Sequence, residues 1–194
     1  MVTIENQYFS IPQICMSGQC FRLDPVSGDT YELIASDRYL RIKVEEGAPS
    51  GAADGVEGRK GGTERTVLYC SSEEYESFWK RYFDLDTSYE EYLAGIDPKD
   101  EYLRTAAWFG SGIRILRQDV WEMIITFILS QQNNIPRIKG LIQAVSGKYG
   151  QKMETADGKL YDAFPTPEQL ADASEEELRA LKLGYRSRYI CGTA

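Results

Sequence analysis

The sequence predicts an α+β protein in which a small antiparallel sheet with one or two helices precedes an all-helical part. Two observations carry this expectation. The first third holds short runs of branched and aromatic residues set off by turn residues. From Glu73 onward, apolar residues instead recur at helical spacing behind helix-start signals. No internal repeat is apparent, and the change in character places the expected boundary between residues 1–84 and residues 85–194.

Strands are expected near Thr30 to Ile34, Tyr39 to Val44 and Arg65 to Leu68, separated by turn signals at Ser27-Gly28-Asp29 and Ser36-Asp37. The segment from Tyr39 to Val44 includes the alternation of a half-exposed antiparallel strand. Six glycines between Gly47 and Gly62, with Pro49, Ala52 and Ala53, cannot build a core, so residues 45–64 read as a mobile hairpin loop. Ser71 with Glu74 forms a capping box ahead of Tyr75, Phe78, Trp79 and Tyr82, which share one helix face. Thr87 with Glu90 opens a second helix. Asp97-Pro98 opens a third, which carries Tyr102, Leu103, Ala106 and Ala107 and stops near Gly110. Asp119 with Glu122 caps a helix that is apolar nearly all round, as a helix buried inside a domain is. Pro136 starts the next, with Ile138, Leu141, Ile142 and Val145 inward and Gly147 or Gly150 at its end. Thr166-Pro-Glu-Gln169 and Ser174-Glu-Glu-Glu177 mark two more starts. A further helix begins near the last residues.

Composition narrows the function. The 194 residues are 42% hydrophobic and 27% charged, ordinary for one or two globular domains. No apolar run is long enough to cross a bilayer and no signal sequence opens the chain, so it reads as cytoplasmic. Without histidine, and with Cys15, Cys20, Cys70 and Cys191 unpaired in spacing, neither a metal site nor a Cys-His nucleophile is expected; the cysteines read as free thiols, and no cofactor is implied. The formal charge of −8 excludes a protein that coats DNA by bulk electrostatics. Charge is uneven, however. Acids crowd residues 73–101, whereas Arg114, Arg117, Arg137, Lys139 and Lys148 outnumber Asp119 and Glu122 around residue 130, and Lys182, Arg186 and Arg188 follow. These cations suggest a local basic surface suited to one site on an acidic protein.

Between the apolar helix and the next lies a row of side-chain amides, Gln131, Gln132, Asn133 and Asn134. Amides are costly to bury unpaired, and they offer both donors and acceptors, as base edges do. Asn133 and Asn134 would also serve as caps for the following helix. A nucleic-acid site is the first hypothesis.

Three segments carry a family resemblance. Ser17-Gly-Gln-Cys-Phe-Arg22 is similar to an S-G-Q-x-F-R-W motif, with Leu23 in place of the usual Trp. Gly112-Ile-Arg-Ile-Leu-Arg-Gln-Asp119 leads into the amide row, and Leu183-Gly-Tyr-Arg-Ser-Arg-Tyr189 is similar to L-G-Y-R-A-R-Y. In this order, across the whole chain, they resemble the 8-oxoguanine DNA glycosylase/AP lyase family of the helix-hairpin-helix glycosylase superfamily. The resemblance implies a TBP-like N-terminal domain and then part of a helical glycosylase domain. The partner implied is double-stranded DNA containing a damaged base, which would make the chain nucleoid-associated when on DNA.

The resemblance also implies roles. The Gly18 carbonyl would accept a hydrogen bond from the N7–H that 8-oxoguanine has and guanine lacks. Gln132, Asn133, Asn134 and Ile135 would fill the gap left by the extruded base, with Tyr185 as a wedge and Arg137 and Arg186 on the acceptor edge of the estranged cytosine. Gln132 stands where the family more often has Asn, which leaves the preference for cytosine open. The family's nucleophilic lysine and assisting aspartate lie beyond the L-G-Y-R segment, in and after a helix-hairpin-helix motif absent from these 194 residues. No catalytic residue is therefore expected here, and apolar surface on the helix after Asp119 would be covered by a second copy or by the missing C-terminal half. The competing expectations are a stand-alone DNA-binding or interaction module and a glycosylase for alkylated purines.

Overall fold

A computed structural model describes residues 1–5, 8–45 and 65–194. The fold is α+β, with a five-stranded antiparallel sheet and helices. Strands β1 (Val2–Glu5), β2 (Leu23–Ser27), β3 (Thr30–Ala35), β4 (Arg38–Glu45) and β5 (Arg65–Leu68) stand in the order β1-β5-β4-β3-β2. Leu40, Ile42 and Val44 are buried and alternate with Arg41 and Lys43, the pleat expected of β4. β5 lies between β1 and β4 and buries Thr66, Val67 and Leu68 in succession. β2, not foreseen, contains Pro25 and sits at the sheet edge, where a missing N–H breaks no ladder. Glu45 and Arg65 are paired across β4 and β5. The loop expected at residues 45–64 lies, from residue 46 on, outside the described residues.

The chain divides into two compact units. One comprises Met1–Cys20, Asp24–Glu32 and Leu40–Arg117; the other comprises Phe21–Leu23, Leu33–Tyr39 and Gln118–Ala194. By packing, residues 85–117 thus go with the N-terminal unit. Arg114 is one reason. It is buried, donates to the carbonyls of Tyr8, Asp84 and Thr87, and lies 4.4 Å over the Tyr89 ring.

In the first unit, α1 (Ile11–Met16) is followed after the sheet by one continuous helical run. This run comprises α2 (Ser72–Glu74), a π-helical turn at Tyr75–Trp79 and α3 (Lys80–Tyr82). The Ser71 hydroxyl accepts from the Glu74 N–H, but the Glu74 carboxylate does not close the box; it accepts from Trp79 Nε1 at 2.8 Å. The widened turn rotates the apolar face, so Trp79, Tyr82 and Phe83 are buried while Tyr75 and Phe78 are only partly covered. α4 (Tyr89–Ala94) begins one residue after Ser88 rather than at Thr87, whose hydroxyl donates to Asp84. α5 (Glu101–Phe109) starts later than Asp97-Pro98 suggests. Asp97 accepts from the Lys99 N–H in a turn, and Asp100 caps the helix.

The second unit holds α6 (Val120–Ser130), α7 (Ile135–Tyr149), the short hairpin β6 (Lys152–Glu154) and β7 (Leu160–Asp162), α8 (Pro167–Ala171), α9 (Glu175–Ala180) and α10 (Arg186–Cys191). α8 and α9 open with complete capping boxes at Thr166 and Ser174. α7 runs to Gly150 and buries Ile138, Leu141, Ile142 and Val145, which form one core with Ile125 and Leu129 of α6. Full burial of α6 is not observed. It buries Ile125 and Leu129 in the core shared with α7 and α10, and Glu122 and Thr126 are buried as well, whereas Val120 and Phe127 are 71% and 68% exposed and Met123 and Ile124 are also uncovered. Those four residues fall at i, i+3, i+4 and i+7, so α6 presents a continuous apolar stripe.

Candidate nucleic-acid interface

The turn between α6 and α7 divides the amide row by function. Gln131 Nε2 donates to the Phe127 carbonyl at 3.3 Å and Asn133 Nδ2 to that of Leu129 at 2.8 Å, satisfying carbonyls that the end of α6 leaves open. Asn134 Oδ1 accepts from the Arg137 N–H at 3.0 Å and caps α7. Gln132 is different. Its backbone is left-handed (φ 50°), it is exposed, and its amide has no hydrogen-bond partner among the described residues. Ile135 beside it is 51% exposed.

Gln131 also supplies the hub of this turn through its main chain. Its carbonyl accepts from Arg186 Nε at 3.1 Å and from Arg186 Nη2, with the Tyr185 hydroxyl at 3.5 Å. Arg186 Nη1 donates to the Leu183 carbonyl. Three of the five guanidinium N–H groups are therefore engaged in holding the turn, leaving one on each terminal nitrogen. The guanidinium is buried and lies 4.6 Å from the centroid of the Tyr185 ring, which is half exposed and meets Tyr189 edge-on. Arg137 is exposed and donates to the Lys182 carbonyl at 2.8 Å, where Lys182 itself has φ 65°. Gln132, Ile135, Arg137, Tyr185 and Arg186 thus belong to one neighbourhood of the second unit, with Asn133 and Asn134 as its helix caps.

Most of the cations expected to form a local basic surface around residue 130 are engaged elsewhere. Arg114 is buried on backbone carbonyls, Arg117 pairs with Asp84 at 3.1 Å, Lys139 donates to the Leu23 carbonyl, and Lys148 pairs with Glu177 at 3.0 Å. Sequence counting treats every cation as available, but folding pairs most of them. Arg137, Lys182 and Arg188 remain exposed with no carboxylate partner among the described residues.

Gly18 belongs to the first unit. It is exposed with φ 76°, a conformation that favours glycine, and nothing lies within 4 Å of where a Cβ would stand. Its neighbours are anchored. Ser17 Oγ donates to the Ile14 carbonyl at 2.7 Å, and the Gln19 side chain donates to the Arg114 carbonyl at 2.9 Å while accepting from the Leu116 N–H at 3.1 Å. Four residues on, in the second unit, Arg22 approaches Glu122 at 3.6 Å and donates to the carbonyls of Ser36 and Asp162. Burial pushes the Glu122 carboxyl above its ordinary pKa, against the opposing pull of Arg22 and of the Ser36 N–H that it accepts at 2.8 Å.

Two contributors escaped sequence reasoning, the Gln131 carbonyl and Lys182. The first acts through a backbone atom that carries no residue-specific signal. The second was counted only as charge, although its left-handed backbone presents a carbonyl to Arg137. No group of three or more His, Cys, Asp or Glu residues capable of holding a metal occurs among the described residues. Nor is any helix among them long and apolar enough to cross a membrane.

Comparison with known proteins bears on this geometry. The family model for the N-terminal domain of 8-oxoguanine DNA glycosylase matches residues 1–124, and that for the HhH-GPD superfamily base excision DNA repair protein matches residues 125–194. An N-glycosylase/DNA lyase of Saccharomyces cerevisiae is 40% identical over 116 residues, 59% of this chain and 30% of that protein. MBOgg1, solved with a low-affinity DNA ligand, superposes with a TM-score of 0.81 at 32% identity, covering 98% of this chain and 60% of its own. The 8-oxoguanine glycosylase/lyase of Clostridium acetobutylicum was solved with double-stranded DNA containing cytosine opposite 8-oxoG. It superposes with a TM-score of 0.80 at 30% identity, covering 100% of this chain and 63% of its own. The chain therefore spans less than two thirds of each of these relatives.

Proposed function

The chain belongs to the 8-oxoguanine DNA glycosylase family, and on that premise we propose that it forms the lesion-reading and gap-filling part of a base-excision-repair glycosylase/AP lyase acting on oxidised guanine in duplex DNA. The observation that carries the proposal is the α6–α7 turn. Gln132 stands exposed in a left-handed conformation with an uncommitted amide, while its neighbours close the helix ends and Arg186 clamps the carbonyl before it. A rigid turn bearing one uncommitted amide suits insertion into a duplex where a base has been extruded. Ile135 and the half-exposed Tyr185 ring are its apolar flanks, and Arg137 with the remaining N–H groups of Arg186 supplies donors to the acceptor edge of an unpaired cytosine.

Recognition of the lesion falls to Gly18. Gly18 is exposed, and its carbonyl accepts from the N7–H of 8-oxoguanine and opposes the N7 lone pair of guanine. The place of action is wherever duplex DNA is held, the nucleoid in a bacterial cell. Fluorescence anisotropy with duplexes carrying 8-oxoguanine or guanine opposite cytosine tests the reading. Tighter binding to the lesion duplex, lost in Gly18→Pro, which removes the left-handed conformation, is the expected result. Equal binding to both duplexes overturns it.

A further inference from the structure

A groove of about 400 Å³ in the second unit runs between α7 and the end of α9. Gly140, Leu141, Ala144, Ala180 and Leu181 form much of its wall, and its only charged lining residues are Arg137 and Lys182. No acidic side chain lines it. On a chain of formal charge −8, in which most cations near this turn are paired or buried, a groove with two cations and no acid is set apart. Lys182 is moreover held in the left-handed region (φ 65°), uncommon for a residue with a Cβ, and Arg137 donates to its carbonyl at 2.8 Å. Lys182 is the residue just past the α9 C-cap, Leu181, where a left-handed backbone commonly ends a helix, and this stop fixes the lysine beside the groove.

We propose that this groove is a binding site for a backbone phosphodiester of duplex DNA, with Lys182 as the cationic contact and Arg137 as the brace that presents it. The inference rests on the reading of the adjacent turn as a DNA-facing element, and it adds a contact that carries no base information. A flexible ammonium suits a phosphate approached from several angles. Gly140, Ala144 and Ala180 leave room for the deoxyribose that accompanies it. Arg137 links the two sites, since its backbone N–H is capped by Asn134 of the amide row while its side chain reaches Lys182.

Two substitutions test the proposal without threatening the fold. Lys182→Gly removes the charge and relieves the left-handed strain. Gly140→Leu projects into the groove from a position where nothing lies within 4 Å of the new Cβ, and leucine favours a helix more than glycine does. Binding of the 194-residue chain to lesion and undamaged duplexes is measured against salt. With Lys182→Gly, affinity is expected to fall equally for both duplexes, and the slope of log K against log salt to shrink by about 0.9, so that a fourfold rise in salt costs roughly threefold less affinity than in the unsubstituted chain. Lys182→Arg restores the slope, and Gly140→Leu weakens binding on the order of tenfold. An unchanged slope in Lys182→Gly, unaffected binding in Gly140→Leu, or no duplex binding by the unsubstituted chain overturns the proposal. A chain that binds both duplexes equally, yet loses slope in Lys182→Gly, would sink the lesion-reading function and leave the phosphate site standing.

Discussion

Arg186 Nε donates to the Gln131 carbonyl at 3.1 Å across 55 residues of sequence, joining the start of α10 to the end of α6. A charged donor on a backbone acceptor in a largely buried setting contributes about 1.5–3 kcal/mol. Arg186→Ala should therefore lower stability by about 2 kcal/mol, read as a shifted denaturant midpoint with an unchanged slope. Arg137, whose exposed side chain engages only the Lys182 carbonyl among the described residues, should leave that midpoint nearly unmoved when replaced by Ala. In the full-length protein Arg137→Ala is expected to weaken binding opposite cytosine by about 1–3 kcal/mol. Equal losses opposite all four bases would leave Arg137 only its part as the brace of Lys182 and remove it from the estranged cytosine.

The stripe of Val120, Met123, Ile124 and Phe127 predicts association. A few hundred Å² of apolar surface, at about 25 cal/mol per Å², is several kcal/mol of driving force toward any partner that covers it. Sedimentation of the 194-residue chain should show mass rising with concentration, together with binding of a hydrophobic dye. Phe127→Glu, at the most exposed aromatic of the stripe, should abolish both. A chain that stays monomeric and dark to the dye would show that the stripe is inert.

Covalent trapping separates binding from chemistry. A Schiff-base lysine needs a depressed pKa so that its amine is free at neutral pH. Lys43, Lys80 and Lys148 are displaced the other way. Donating a hydrogen bond to Glu45 raises Lys43, donating to Asp86 raises Lys80, and donating to Tyr149 and Glu177 raises Lys148. Residues 1–194 incubated with a lesion or abasic duplex and borohydride are expected to give no adduct. An adduct at enzyme-like yield would place a nucleophile within these residues.

The Glu122 carboxyl gives stability a pH dependence. Burial raises its folded pKa above 4.5, so the folded state holds the proton more tightly than the unfolded chain. The resulting stabilisation is complete below the unfolded pKa and is lost as pH rises through the folded value. Glu122→Gln, which stays neutral and can still accept from the Ser36 N–H, should flatten that loss. Denaturant midpoints should favour the variant increasingly as pH rises from the acid range toward neutrality. Parallel profiles would mean that Arg22 holds the carboxylate ionised throughout.

Local rules made much of the fold legible. The caps at Ser71, Asp119, Thr166 and Ser174, the alternation in β4 and the inward face of α7 each depend on residues within a few positions of one another, so periodicity and capping chemistry suffice to find them. The three-residue strands β6 and β7 are too short to display a period, and the π-helical turn at Tyr75–Trp79 breaks the one that its sequence suggests. The candidate site could be named in the sequence as a set of residues but not as an arrangement. The family resemblance singled out Gln132, Tyr185, Arg137 and Arg186. Only the tertiary structure distinguished Gln132 from the amides that cap helices, made Arg186 a clamp and buried Arg114, and removed Lys139 and Lys148 from the basic surface. The reason is physical. Most of these assignments depend on which distant backbone carbonyl or carboxylate lies within about 3 Å of a side chain, and no local pattern in the chain encodes that distance.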